Sequence, residues 1–95
     1  MQDRFTWDTA KAASNLRKHG VSFAEAIEVF ADPGVLFEYD EEHSRNEDRF
    51  HAIGLSSRSR MLLVVHSEPG AVVRIIGARP ANSAERKRYE RNARI

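Results

Sequence analysis

Alternating charges around residue 47 form the group of side chains best suited to acid–base chemistry. His43, Arg45, Glu47, Arg49 and His51 occur at every second position, so in an extended segment they project to the same side. Cleaving RNA without a metal ion requires a base for the 2′-hydroxyl, positive charge for the phosphorane and an acid for the departing 5′ oxygen. These residue types supply all three. A surface ladder of ion pairs across a strand fits the same spacing equally well.

The carboxy-terminal half is a candidate for binding nucleic acid. Residues 51–95 carry nine Lys or Arg and three Asp or Glu, a net charge of +6, whereas residues 1–50 carry six and eleven, a net of −5. Arginine dominates the basic half, and its guanidinium group matches the geometry of phosphate. Tyr89, one helical turn after Arg86, is placed to stack on a base or contact a phosphate. The alternative is a solvated helix with Tyr89 packed on the sheet.

Metal chemistry is the third possibility. The potential ligands are Asp40, Glu41, Glu42, His43 and His51. Their spacing matches no recognised zinc or calcium loop. The chain has no cysteine, which excludes a disulfide framework, a thiolate nucleophile and a Cys-based zinc site. We therefore expect neither a metal site nor another cofactor.

Two apolar runs predict the hairpin that positions the arginines. Residues 61–65 and 71–76 are rich in Val, Ile and Leu and are separated by a Pro-Gly turn, which is typical of a hairpin in mid-sheet. In a regular hairpin, His66 and Arg79 share one face and Arg74 points to the other. Arg79, at the exit of the strand, is then the better site residue unless a bulge shifts the register.

The remaining elements follow from capping and periodicity. A short strand is predicted at residues 5–7, helices from Thr9 to Lys18, from Ser22 to Phe30 and from Asn82 or Ser83 to Arg94, and further strands at residues 35–40 and 49–56. Alternation predicts that Val35, Phe37 and Tyr39 form a buried side. The order indicates an α+β fold with a short amino-terminal strand, two helices, a four-stranded antiparallel meander and a basic carboxy-terminal helix.

Length and composition set the broad class. The 95 residues, 41% hydrophobic and 31% charged, are typical of a single globular domain spanning residues 1–95. The amino terminus does not resemble a signal peptide, and no apolar run approaches the roughly 20 residues of a membrane span. We expect a cytoplasmic protein without a membrane partner.

Residues spread over nearly the whole chain resemble the BrnT toxins. The matching positions are Phe5-x-Trp7-Asp8, Lys18-His19-Gly20-Val21-Ser22-Phe23, Val29-Phe30-x-Asp32-Pro33, His43, Glu47, Arg49, Gly54, Leu63-Val64-Val65, Arg74-Ile75-Ile76-x-Ala78-Arg79 and Glu85-Arg86-x-x-Tyr89. The resemblance implies a RelE-like fold and an RNA-cleaving toxin of a type II toxin–antitoxin pair that stops translation. It also implies a BrnA-like ribbon-helix-helix antitoxin as partner, in a heterotetramer that binds operator DNA through the antitoxin.

The resemblance leaves the catalytic residues open, so we state them as a hypothesis. Arg79 and Arg74 stabilise phosphate charge, Glu47 or His43 accepts the proton, and Tyr89 acts as acid or in binding. RNA is bound by four further residues, Arg49, Arg86, Lys87 and Arg91. The alternative function is a module that binds nucleic acid or a protein partner without cleaving anything.

Overall fold

The computed structural model describes residues 4–93, which form one sheet with helices on both faces. The elements are β1 (Phe5–Thr6), α1 (Thr9–His19), α2 (Phe23–Ala26), β2 (Leu36–Tyr39), β3 (Phe50–Leu55), β4 (Met61–Ser67), β5 (Val73–Pro80) and α3 (Ser83–Ala93). Two 3-10 helices complete the fold: Ile27–Ala31 continues α2, and Glu41–His43 follows β2. The predicted α+β class is confirmed. Arg94, the predicted end of the last helix, lies outside the described residues.

The sheet is mixed, with strand order β1-β5-β4-β3-β2. Strands β2 to β5 pair antiparallel in succession. The described sheet has five strands and not four, because β1 pairs in parallel with β5, with Phe5 opposite Val73. Beyond this short pairing, the side chain of Asn15 donates to the carbonyl of Ala78 at 2.9 Å and accepts from its N–H at 3.1 Å. Asn15 thereby satisfies backbone groups that the edge of β5 would otherwise expose.

The first face of the sheet, called here the α1 face, carries the larger core. Its strand residues include Ala52, Leu62, Val64 and Ile75, all buried under α1, α2 and the 3-10 turn. Gly54 lies so close beneath that turn that an added Cβ would stand 2.9 Å from a methyl of Val29. A side chain at position 54 would therefore push the turn off the sheet.

Local sequence explains these helices. The carboxylate of Asp8 accepts from the N–H groups of Ala10 and Lys11, and Gly20 ends α1 at φ 70°, a left-handed conformation that glycine adopts without strain. The hydroxyl of Ser22 accepts from the N–H of Glu25 and so caps α2. Both predicted helix starts are therefore confirmed.

The opposite face, called here the α3 face, has a smaller core. Ile53, Met61 and Leu63 pack there against Tyr89 of α3. Asn82 begins α3 with a reciprocal pair of hydrogen bonds, since its side chain accepts from the N–H of Glu85 and its own N–H donates to that carboxylate, both at 2.9 Å. This capping box fixes where α3 leaves the sheet.

One predicted burial is wrong. Phe37 and Tyr39 of β2 lie on the α1 face, yet each is 51% exposed. The helices do not extend over β2: α1 and α2 lie over β5, and the 3-10 helix Ile27–Ala31 lies over β3. The α1 face therefore ends in uncovered aromatic side chains at its β2 edge.

Candidate active site

A register shift in the hairpin decides which arginines share a face. Val65 pairs with Gly77, but the next residue of β4, His66, pairs with Ile75. One extra residue, Ile76, is thus accommodated in β5 as a β-bulge. Every position before the bulge consequently changes face relative to a regular strand.

The bulge corrects the predicted placement of the hairpin's polar residues. Arg74 pairs with Ser67 and Arg79 pairs with Leu63, so both arginines belong to the α3 face. His66 belongs to the α1 face, where it is fully buried. The regular-hairpin prediction, in which His66 and Arg79 share a face, is therefore wrong.

Arg74 reaches the loop between β2 and β3. Its Nη2 donates to both carboxylate oxygens of Glu47, at 2.6 and 2.7 Å. Both side chains remain about two-fifths exposed, 42% for Arg74 and 37% for Glu47. They border a cleft of about 690 Å³ whose lining residues are Glu42, His43, Arg45, Asn46, Glu47, Arg49 and Arg74. The cleft thus brings together four of the predicted site residues: Glu47, His43, Arg74 and Arg49.

His43 is held by a buried carboxylate. Its Nδ1 lies 2.9 Å from Oδ2 of Asp40, and Nε2 of His51 lies 3.0 Å from the same oxygen. Burial alone raises the pKa of Asp40, but hydrogen bonds from His43 and the charge of His51 outweigh it, so the pKa is lower than usual. An ionised carboxylate only accepts hydrogen bonds. The neutral ring of His43 therefore carries its proton on Nδ1 and offers Nε2 as an acceptor.

Backbone and hydroxyl contacts fix this loop. The carboxylate of Asp40 accepts from the N–H of His43 at 3.3 Å and so starts the 3-10 turn. The hydroxyl of Ser44 donates to the carbonyl of Asp40 at 2.6 Å and accepts from the N–H of Arg49 at 2.9 Å. These contacts close the loop on itself. His43 keeps its position although its side chain is 60% exposed.

Arg79 does not line the cleft. Its guanidinium forms a bidentate pair with Glu85, at 2.9 and 2.8 Å. Burial alone raises the pKa of Glu85, but the hydrogen bonds from Arg79 and Asn82 hold it below its usual value. Arg79 thus anchors the first turn of α3 to β5.

Tyr89 is a core residue that is only 8% exposed. Its hydroxyl donates to Oδ2 of Asp32 at 2.7 Å, and this oxygen also accepts from the N–H of Leu55 at 2.8 Å. Burial, together with the hydrogen bond and charge of Asp32, raises the pKa of Tyr89 to about 12. The residue links α3 to the loop before β2 and stands apart from the cleft.

Helix α3 carries both exposed and paired basic residues. Arg86, Lys87 and Arg91 are exposed. Arg88 is tied down, since it donates through Nε and Nη2 to Glu38 at 2.8 and 3.1 Å. Glu38 is paired with His51 across β2 and β3, so α3 lies next to the histidine pair on the same face.

The joint role of Asp40 and His51 was not predicted from the sequence. Both residues were named as potential metal ligands, and His51 also as a member of the alternating cluster. The available signal was the three-residue spacing of Asp40 and His43, which suits a side chain that caps a turn. Between residues 4 and 93, no three His, Asp or Glu side chains are grouped so as to hold a metal ion.

Two comparisons relate this chain to known proteins. A family model described as the ribonuclease toxin BrnT of type II toxin–antitoxin systems matches residues 7–85. The 1.1 Å crystal structure of the ribonuclease toxin BrnT from Brucella abortus is 26% identical, with a TM-score of 0.63, and the match covers 83% of this chain and 96% of that one. No curated protein matches the sequence.

Fold and site define a small α+β domain with a histidine- and arginine-lined cleft beside one face of its sheet. The family match extends over most of the chain and includes the cleft. The chain belongs to the BrnT family, the ribonuclease toxins of type II toxin–antitoxin systems. Among residues 4–93, no helix combines the length and apolar character needed to cross a bilayer.

Proposed function

We propose that this protein is a metal-independent endoribonuclease that acts in the cytoplasm and stops translation by cleaving RNA. The observation that carries the proposal is His43, fixed by a buried carboxylate at the edge of a cleft that also holds Arg45, Arg49 and Arg74. An oriented imidazole beside several guanidinium groups is the combination that phosphodiester cleavage through a 2′-hydroxyl requires. We retain the RelE-like description of the fold as part of this proposal.

The proposed chemical step uses the tautomer of His43 that leaves Nε2 free to accept a proton. Nε2 of His43 takes the proton of the 2′-hydroxyl, and the 2′ oxygen forms a bond to phosphorus. Arg74 and Arg49 stabilise the added negative charge, the bond from phosphorus to the 5′ oxygen breaks, and that oxygen takes up a proton from solvent. The products are a 2′,3′-cyclic phosphate and a 5′-hydroxyl end. Each proton transfer of this kind contributes roughly 10²–10⁴-fold to the rate.

Other predicted residues take different parts in this proposal. Glu47 holds Arg74 at the cleft before RNA binds and releases it to the phosphate. Arg86, Lys87 and Arg91 bind the RNA backbone next to the cleft, because they are exposed on α3. Arg79 and Tyr89 act through the fold, since their polar atoms are bonded to Glu85 and Asp32.

The partner in this proposal is a BrnA-like ribbon-helix-helix antitoxin that neutralises the toxin in a heterotetramer. Membership of a type II toxin–antitoxin family supports an antitoxin partner. In the heterotetramer, the antitoxin binds operator DNA and the toxin does not contact it.

The decisive experiment is cleavage of an end-labelled RNA by purified protein in EDTA. We expect cleavage by the natural protein, no cleavage when the target nucleotide is replaced by its 2′-deoxy form, and at least about a 10²-fold loss with His43→Gln. Cleavage that disappears in EDTA would indicate a metal-dependent reaction. Tight RNA binding with no cleavage would favour a non-catalytic binding module instead.

A further inference from the structure

A patch of aromatic side chains lies uncovered at the β2 edge of the α1 face. The rings of Tyr39 and Phe50 are 5.6 Å apart, and those of Phe30 and Phe37 are 5.8 Å apart. Phe37 and Tyr39 are each 51% exposed. Contiguous exposed aromatic surface on a domain this small indicates a binding surface.

An acidic cavity adjoins this aromatic patch. It has a volume of about 320 Å³ and is lined by Glu47, Asp48, Phe50, Glu68 and Pro69. Asp48 is connected to the patch because it accepts from the hydroxyl of Tyr39 at 2.9 Å. Three carboxylates around an aromatic ring form an environment that favours a cation, through both charge and the face of the ring.

A buried histidine with unsatisfied nitrogens lies behind the same cavity. His66 is fully buried, and neither of its ring nitrogens has a hydrogen-bond partner among the described residues. Its ring stacks on Phe50 with centroids 5.6 Å apart, and its Nδ1 faces Glu68 at 3.5 Å. A neutral imidazole has one nitrogen that accepts a hydrogen bond. Because the ring is fully buried, a donor can reach that acceptor only if the side chains over it move aside.

We propose that the aromatic patch and the acidic cavity together dock the antitoxin, which inserts a Lys or Arg beside Phe50 and Glu68 and lays an apolar side chain on Phe37 and Tyr39. The inference rests on the proposed function for the existence of the antitoxin. It adds the surface, and it assigns a basic and apolar character to the segment that docks.

Charge argues against the other occupants. The phosphates of RNA would be repelled by the three carboxylates of the cavity. A symmetric pair of two copies would bring like-charged cavities together, because such an interface joins the same patch of both subunits. A cationic segment of another chain is the occupant that the charges favour.

The cavity also borders the cleft. Glu47 lines both, and its carboxylate is the one that pairs with Arg74. An antitoxin seated in the cavity therefore lies at the mouth of the cleft. Docking on this surface obstructs the path of RNA without filling the site itself.

The test measures affinity for the ribbon-helix-helix protein encoded by the reading frame next to the toxin gene, by titration calorimetry. The surface variants are Phe37→Ser and Glu68→Arg. The control for Phe37→Ser is Leu16→Ser, because Leu16 is an apolar residue of α1 with 50% exposure. The control for Glu68→Arg is Glu90→Arg, because Glu90 is an exposed carboxylate of α3. We expect the surface variants to weaken binding by at least about 10-fold, as contacts at the centre of an interface do. The controls should stay within about twofold of the natural protein.

Three outcomes would overturn the proposal. The first is an unchanged affinity of Phe37→Ser and Glu68→Arg for the ribbon-helix-helix protein. The second is that the natural chain does not bind that protein. The third is that light scattering shows a homodimer of the natural chain that Phe37→Ser dissociates. RNA cleavage is measured separately on the same samples. If the natural protein does not cleave RNA, the ribonuclease proposal alone is refuted. If cleavage is intact and the surface variants bind the ribbon-helix-helix protein with unchanged affinity, the docking surface alone is refuted.

Discussion

Nδ1 of His43 lies 2.9 Å from Oδ2 of Asp40, and this contact determines which nitrogen of the ring the cleft receives. Because the carboxylate is buried and ionised, it accepts a hydrogen bond from Nδ1–H and leaves Nε2 for substrate. The same oxygen accepts from His51, so one carboxylate orients two imidazoles.

Replacing Asp40 with Asn should lower kcat/KM for RNA cleavage by about 10²-fold. An amide offers only one acceptor oxygen, so its NH₂ group opposes either the two ring N–H groups that meet Oδ2 or the backbone N–H of His43 that meets Oδ1. Asp8→Asn is the control, since Asn also caps a helix well. An unchanged kcat/KM in Asp40→Asn would contradict the positioning role.

Replacing Glu47 with Gln separates the two predicted proton acceptors. If Glu47 only holds Arg74, its removal should lower KM by up to about fivefold, because an ion pair between half-exposed groups contributes about 0–1 kcal/mol. If Glu47 is the base, kcat should instead fall by about 10²-fold or more. Steady-state kinetics on one RNA substrate distinguishes the two outcomes.

Arg74→Gln should affect RNA binding, whereas Arg79→Gln should affect stability. Arg74 lines the cleft, so its loss should weaken RNA binding and reduce the slope of log K against log salt concentration by about 0.7. Arg79 bonds to buried Glu85, so its loss should cost about 1.5–3 kcal/mol of the free energy of unfolding. RNA titrations at several salt concentrations and urea unfolding measure these quantities. An unchanged salt slope in Arg74→Gln would remove this residue from the RNA site.

Tyr89→Phe tests whether this hydroxyl is structural. Its hydrogen bond to the Asp32 carboxylate at 2.7 Å is partly buried and involves a charged group, so its removal should cost about 1.5–3 kcal/mol of the free energy of unfolding. Cleavage, measured below the midpoint of unfolding, should persist. Tyr39→Phe is the matched control, because Tyr39 donates to a carboxylate at an exposed position. Loss of kcat in folded Tyr89→Phe would restore Tyr89 as the predicted acid.

His66 should make stability depend on mild acid. Burial, and secondarily the charge of His51, lowers the pKa of His66 from 6.5 to about 4. The unfolded chain therefore binds a proton below pH 6.5 that the folded chain refuses until about pH 4, so stability falls across that interval by about 3 kcal/mol at most. His66→Phe should remove most of this slope between pH 7 and pH 5, as measured by thermal unfolding. An equal slope in both proteins would assign it to other groups, such as the buried Asp and Glu carboxylates.

Helix ends and strand positions could be predicted from the sequence because their signals are local. Asp8, Gly20 and Ser22 each act within a few residues of their own position, and the Pro69-Gly70 turn separates β4 from β5 as expected. The class of the fold follows from the order of these elements. No local signal existed for the parallel pairing of β1, which depends on a partner strand almost 70 residues away.

Four of the predicted residues line the cleft, but how they come together could not be predicted from the sequence. His43, Glu47, Arg49 and Arg74 do line one cleft. The bulge that brings Arg74 there left no trace in the sequence, because Ile75 and Ile76 are both apolar and either fits a buried position. Asp40 had only its spacing to His43 as a signal, since a carboxylate in an acidic loop is ordinarily solvated.

The bulge also bears on how relatives of this chain are aligned. Arg74 and Arg79 are five residues apart, yet Ile76 adds no step to the alternation of the strand. A relative with three residues between the same two positions, and a regular strand, would present both arginines to the same side as this chain does. A one-residue gap at position 76 therefore preserves the geometry, whereas a second inserted residue without its own bulge would turn the first arginine away from the cleft.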